Sequence, residues 1–437
     1  MDRLEQKILD IIDAHAEELN AVAMDIYHHA ERGFIETETA KIAAEYLTRI
    51  GLKPREGLAL TGLRADIGEG DGPTVALIGE LDGITCPAHP DASPSGIAHA
   101  CGHEAQMAAV LGAALALSDP EVKEALDGKA AIFSVPAEEF LSANVRAELA
   151  EQGVRYSGGK SELIRRGEFD DIDMALTSHV HMLNNEDSDL LLGNCACTGF
   201  IGKTIVIHGQ AAHAAQAPHN GINALNAASL GFSALGMIRE TFREKDCVRV
   251  HPIITEGGSA VNVVPDRVVI EMLLRALTLP VIEEVSEKVD RAYKGGAYSI
   301  GATAEIIDDQ GFLPVIMRPA DPVLLAAADV LKERENLSVK TVASDMINTA
   351  STDVGDLTHI MPVLNFTFGG TAGSLHSKDF RITDTYKAHI MPAKMMAITA
   401  YRLLKDGAAE AKATVRDFKP ALSREEYLAY AEKLHER

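Results

Sequence analysis

The chain lacks tryptophan altogether and is poor in aromatic residues, 5% of 437 positions. It has only five cysteines, Cys86, Cys101, Cys195, Cys197 and Cys247. An odd, sparse set in so long a chain excludes a disulfide framework and predicts a reduced, cytoplasmic protein. Basic residues are also short: 41 Lys and Arg stand against 64 Asp and Glu, a formal charge of -23. No basic run offsets that surface, which would repel phosphate backbones, so a nucleic-acid partner is not expected. No apolar run reaches the roughly 20 residues that span a bilayer, so no membrane partner is expected. The start, "MDRLEQKILDIIDAHAEEL", reads as a charged amphipathic helix and not a signal peptide.

What is present is the alternation of an α/β protein, long enough for two domains. "TVALIGELD" and "KAAIFSVPAEE" are nearly continuous apolar runs ending in acids. They read as buried strands whose carboxyl ends, where such sheets gather ligands, carry polar groups. Around Gly199 the texture changes. "KTIVIHG", the helical "NGINALNAASLGFSALGMIRETF", "VRVHPIITEGG", "DRVVIEMLLRA", the helical "LPVIEEVSEKVDRAY" and "ATAEIID" follow in the order β-α-β-β-α-β. That is a complete ferredoxin-like α+β unit. The pattern divides the chain into 1–198, an inserted domain 199–309, and 310–437, in which the α/β texture resumes.

Chemistry concentrates in a few short stretches. "HACGHE" places His99, Cys101 and His103 at the mouth of an apolar helix. Residues two apart on a helix do not face each other, so Cys101 and His103 converge only from a loop, which Gly102 favours. The helix N-terminus would then favour the Cys101 thiolate, and thiolate with neutral imidazole makes a metal ligand set. A buried structural cysteine with incidental histidines is the blander reading. "VPAEEF" sets Glu138 and Glu139 where a buried strand runs out. Adjacent carboxylates there are costly to bury unless a cation neutralises them. One suits a ligand, the other a base. In "MALTSHVHM", His179 and His181 share one face of a strand, and either reaches a metal. "NFTFGGTAGSLHSKDF" presents His376 from a Gly-rich loop. In "LIGELDG", Asp82 closes another buried strand and suits orientation of a ligand histidine. The thiols of "NCAC" read as core packing.

Taken together and in order, "HACGH", "PAEE", "GGKSELIRRGEFDDIDMAL" before "SHV", "GQAAHAAQAPHNGINAL", "EGGSAVNVVPD" and "STDVGD" resemble the aminoacylase and glutamate-carboxypeptidase family of two-metal amidohydrolases. The branch most similar holds the indole-acetyl-amino-acid and aminobenzoyl-glutamate hydrolases. The resemblance implies a mixed-sheet, di-metal aminopeptidase-like catalytic domain with the inserted domain as lid and dimerisation module. It implies two divalent cations per subunit, zinc or manganese with cobalt as a further candidate, held by Cys101, His103, Glu139, His179 and His376. His179 is preferred to His181 because it stands at the family's "HV"-like position. Glu138 would be the general base, with Asp82 beside it. It further implies substrate contacts from His213, Asn262 and Arg275, in some relatives across the boundary of a homodimer. His213 would steady an oxyanion if the small domain closes, and Arg275 offers a fork of donors to a carboxylate.

The sequence departs from the branch at Glu104 and Gln106, where Asp and His are usual, and in "VPAEE" and "ELDGIT". These leave the metal set intact and put the substrate in question. The expected reaction is hydrolysis of an N-acyl amino acid or related amide. A metallo-dipeptidase or carboxypeptidase is the alternative. A non-catalytic, metal-stabilised binding protein would have lost the base or a ligand, and all six positions are present.

Overall fold

The computed structural model describes residues 1–181 and 188–435. Two compact units result: Met1–Ala196 with Ile316–Asn348 and Asp356–Ser423, and Cys197–Val315 with Thr349–Gly355 and Arg424–Arg437.

The first unit is built on an eight-stranded mixed sheet. Its order is Arg55–Leu58, Gly62–Ile67, Lys129–Val135, Thr74–Glu80, Met174–Val180, Val363–Phe368, Leu190–Leu192 and Val339–Thr341. Lys129–Val135, Thr74–Glu80, Met174–Val180 and Val363–Phe368 run parallel at the centre. Their carboxyl ends therefore open at one edge of the sheet. Antiparallel partners flank this core on both sides. Thr74–Glu80 is buried at every position, which is why it reads as a continuous apolar run and not as an alternation.

The helix His103–Leu117 is buried at every residue but Leu115. It lies against Thr74–Glu80 and against the helices Met391–Leu404 and Ala16–His28. A helix enclosed on all sides has no polar face, and close neighbours demand small residues. At Gly112 a Cβ would stand 2.6 Å from that of Ala393. The N-terminal segment, read as one helix, is two, Arg3–Ala14 and Ala16–His28, with the break at His15. Asp2 and Glu5 cap the first reciprocally.

The second unit has the β-α-β-β-α-β order. Its four strands pair antiparallel as Arg249–Glu256, Arg267–Ala276, Gly199–His208 and Thr303–Asp309. The helices Ala224–Ile238 and Leu279–Ser299 pack on each other and on the sheet. Ile205, Ile207, Val268, Ile270, Leu274, Val285 and Val289 form their common core. The C-terminal helix Arg424–His435 lies against Thr303–Asp309.

Candidate metal centre

The polar edge of the first sheet gathers side chains from separate segments. Asp82 follows Thr74–Glu80, Glu138 and Glu139 follow Lys129–Val135, and His179 lies in Met174–Val180. His376 sits in the loop beyond Val363–Phe368. Its backbone is left-handed, with φ 60°, and its N–H donates to the carbonyl of Ala100 at 2.8 Å. That bond ties the loop to the "HACGH" turn. Cys101 occupies the turn and His103 opens the helix. Gly102 between them has φ 79°, and a Cβ there would meet Val180 at 2.7 Å. Only glycine lets this turn cross so close to the strand end.

The donors converge on Cys101. Its Sγ lies 3.5 Å from His179 Nε2 and 3.3 Å from His376 Nε2. His376 Nε2 is also 3.0 Å from Glu139 Oε1. Two groups, Cys101–His103–His179 and Cys101–Glu139–His376, each bring their ligand atoms within 4.8 Å of one another. Cys101 belongs to both. The imidazoles are preset for coordination. His179 Nδ1 faces the carbonyl of Val180 and His103 Nδ1 that of Asp82, each at 2.8 Å. A carbonyl only accepts, so Nδ1 carries the proton and Nε2 presents its lone pair. The Asp82 carboxylate adds a second acceptor 3.2 Å from His103 Nδ1 and takes the Glu139 N–H at 2.9 Å. His181 is engaged elsewhere, with Nδ1 2.8 Å from Thr367 Oγ1 and Nε2 2.7 Å from the carbonyl of Ser188.

The electrostatics of the bare cluster are those of a cation site. Burial pushes the Cys101 thiol well up, and Glu139 and Glu138 push the same way. Desolvation and the two carboxylates thus oppose the thiolate that the helix N-terminus favours. Burial opposes charge on His103, but facing Cys101, Glu80 and Asp82 its net shift is upward. Burial lowers His179 to about 4, which keeps it neutral. Among the described residues, the buried atoms His103 Nε2, Asp82 Oδ1, Glu80 Oε2 and Glu139 Oε1 have no hydrogen-bond partner. Buried polar atoms are rarely left so, and their crowding around His103 and His376 fits a site for divalent metal.

Residues not singled out in the sequence also belong to this edge. Glu80 is buried with one oxygen 2.6 Å from Lys160 Nζ. Against the cost of burial, Lys160 and His103 hold it down to about 2. The signal was present, because Glu80 shares a strand face with Asp82. Glu36 is buried behind the "PAEE" turn and accepts the Ala137 N–H at 2.8 Å, pinning a left-handed residue beside Glu138. Burial and Asp82 raise it to about 8. Nothing in its sequence context, "GFIETET", marks it.

The remaining expected residues lie in the second unit. His213 is exposed, and its Nδ1 accepts the N–H groups of Ala215 and Gln216 at 3.2 and 3.1 Å. Its proton therefore resides on Nε2. Asn262 is exposed beside it, its carbonyl accepting the Ala214 N–H at 3.0 Å. Arg275 is half-buried, 4.8 Å above the Phe200 ring, and donates to Ser351 Oγ. Arg275 pairs with Phe200 and Arg267 with His208, so Arg275 stands beside one end of the strand Gly199–His208, and His213 follows its other end in the sequence.

Residues 196–297 match the peptidase dimerisation domain. The chain is 26% identical to a p-aminobenzoyl-glutamate hydrolase polypeptide of Escherichia coli, over 93% of each chain. Over nearly its whole length the chain is similar to amide-bond hydrolases and peptidases. A second relative, Xaa-Arg dipeptidase of Homo sapiens, is 26% identical over 92% of this chain and 88% of its own. The family fold is seen in the crystal structure of a dinuclear metal binding peptidase from Bacillus subtilis. It matches with a TM-score of 0.66 and 22% identity, covering 90% of this chain and 99% of that one. Among the described residues no helix is long and apolar enough to cross a membrane.

Proposed function

We propose that the protein is a two-metal amidohydrolase that splits N-acyl amino acids or related amides into an acid and an amine. The observation that carries this reading is the single thiol, Cys101, shared by two ligand groups at the carboxyl ends of parallel strands, with Glu138 beside them. Cys101, His103 and His179 would hold one ion, and Cys101, Glu139 and His376 the other. Bound there, divalent cations supply a lowered pKa for water and polarisation of the scissile carbonyl. The thiolate favours zinc or cobalt, while carboxylate and imidazole also suit manganese.

The chain's own groups do the rest. Glu138 takes the proton of the attacking water and passes it to the departing amine. Asp82 holds His103 and the Glu139 backbone in place. His213, protonated on Nε2, donates to the oxyanion, and Asn262 stands beside it. Arg275, kept planar against Phe200, receives a substrate carboxylate.

These substrate contacts imply a second copy. Eight residues of extended strand separate the Arg275 and Arg267 pairings, about 25 Å. On this reading His213 and Arg275 of one chain serve different sites, and each site takes one of them from a partner. Exposed Ile253 and Ile254 on the edge strand Arg249–Glu256 give the homodimer an apolar surface. The absence of disulfides among the five cysteines supports a cytoplasmic setting. The dipeptidase relative keeps a dipeptide substrate as the second reading.

Metal-stripped protein assayed for amine release against aminobenzoyl-, acetyl- and indole-acetyl-amino acids and a dipeptide set tests the proposal. Turnover of an acyl amino acid that returns only on adding zinc, manganese or cobalt is expected. Failure to bind metal, or turnover indifferent to chelator, would contradict it.

A further inference from the structure

Glu80 is almost wholly inaccessible, 2% exposed, at the end of the central strand. Its two oxygens have different surroundings. Oε1 accepts from Lys160 Nζ at 2.6 Å, and Lys160 is fully buried. Oε2 has no hydrogen-bond partner among the described residues and stands 3.2 Å from His103 Nε2. With His103 and Glu138 it forms a third group of potential ligand atoms lying within 4.8 Å of one another. The proton of His103 is committed to Nδ1 by the Asp82 carbonyl, so in the neutral ring Nε2 and Oε2 turn lone pairs toward each other. Two buried acceptors at that distance repel unless a cation, a proton on Nε2 or a metal ion in its place, lies between them.

We infer that Glu80 is a further ligand of the metal pair: Oε2 joins Cys101, His103 and His179 around one ion, while Lys160 holds Oε1. This rests on the two-metal reading above. The negative charge of Glu80 acts on His103 and His179 alike. The resulting donor set is one thiolate, two imidazoles and one carboxylate, the closed four-ligand shell of a structural ion. The second ion, with Cys101, Glu139 and His376, keeps a position open. The two ions therefore differ in role, one retained and one facing substrate. Lys160 is a positioning residue: it fixes the carboxylate and balances its charge before metal arrives.

The test is zinc uptake by stripped full-length protein, followed by calorimetry and elemental analysis. Wild type should take up two ions per chain, one of them more tightly. Glu80→Gln keeps shape and removes charge, and should weaken the tighter ion by at least a hundredfold while sparing the other. Because Glu80→Gln removes the carboxylate to which buried Lys160 donates, Glu80→Gln with Lys160→Met is the second variant. It should fold and show the same single loss. Zinc-edge absorption on wild type loaded with one equivalent needs no variant and should report one sulfur and two imidazoles. Two ions bound with unchanged affinity by a folded Glu80 variant would overturn the inference and leave the two-metal reading standing. One sulfur with a single imidazole in the first-loaded ion would also overturn it. No zinc uptake by wild type would overturn the two-metal reading itself.

Discussion

The two units carry their functional residues in opposite ways. In the first, Cys101, His103, Glu139, His179 and His376 arrive from separate segments and already meet, with ligand atoms a few ångströms apart. In the second, His213 and Asn262 are exposed in segments outside the named strands, while Arg275 pairs with Phe200 at the far end of Gly199–His208. A metal cluster must be preformed, because like charges and orphaned donors gathered in low dielectric cost several kcal/mol unless the fold holds them ready for a cation. Substrate contacts carry no such burden. His213 and Asn262 stay exposed, and on the proposed reading a second copy completes the site.

Variants sharpen that contrast. Cys101→Ser should have the largest effect, since both ions share the thiol: both affinities and turnover fall together, and excess metal restores them in part. Metal titration checks it, and unchanged stoichiometry and affinity would take Cys101 out of the cluster. Glu138→Gln should keep both ions and the fold yet lower kcat by about two decades or more, the scale of a positioned general base. Near-normal kcat with metal bound would assign the base elsewhere. His213→Ala should leave metal content untouched and cut kcat about a hundredfold, as for one oxyanion donor. A loss of metal instead would place His213 with the first cluster. Arg275→Ala should be the mildest, raising KM about tenfold or more for substrates with a free carboxylate and sparing their esters, because only the carboxylate uses the fork.

Much of this arrangement was legible in the chain. Continuous apolar runs ending in acids marked the central strands, since strands buried on both faces cannot alternate. The β-α-β-β-α-β order marked the second unit because each element has its own period. What escaped depended on tertiary contact. For Cys101 the helix position is visible in sequence, while the burial beside Glu139 that opposes the thiolate is not. Lys160, in "GGKSEL", looks like a surface lysine until Glu80 is seen opposite it. The break at His15 has no local signal in the sequence. The helix Arg424–His435 lies against a strand more than a hundred residues earlier, a contact with no trace in its own pattern.

The claim that the metal cluster belongs to one chain and the substrate contacts to two is tested most directly by mixing inactive proteins. His213→Ala and Glu138→Gln homodimers are each purified, shown to be inactive, and allowed to exchange subunits. In a crossed dimer the mixed species has one site with both lesions and one with neither. Random exchange at equal amounts should then restore about a quarter of wild-type activity, from half the dimers each with one intact site. If exchange is demonstrated and activity stays at the level of the parents, every site is built within one chain, and the account given for His213 and Arg275 is wrong.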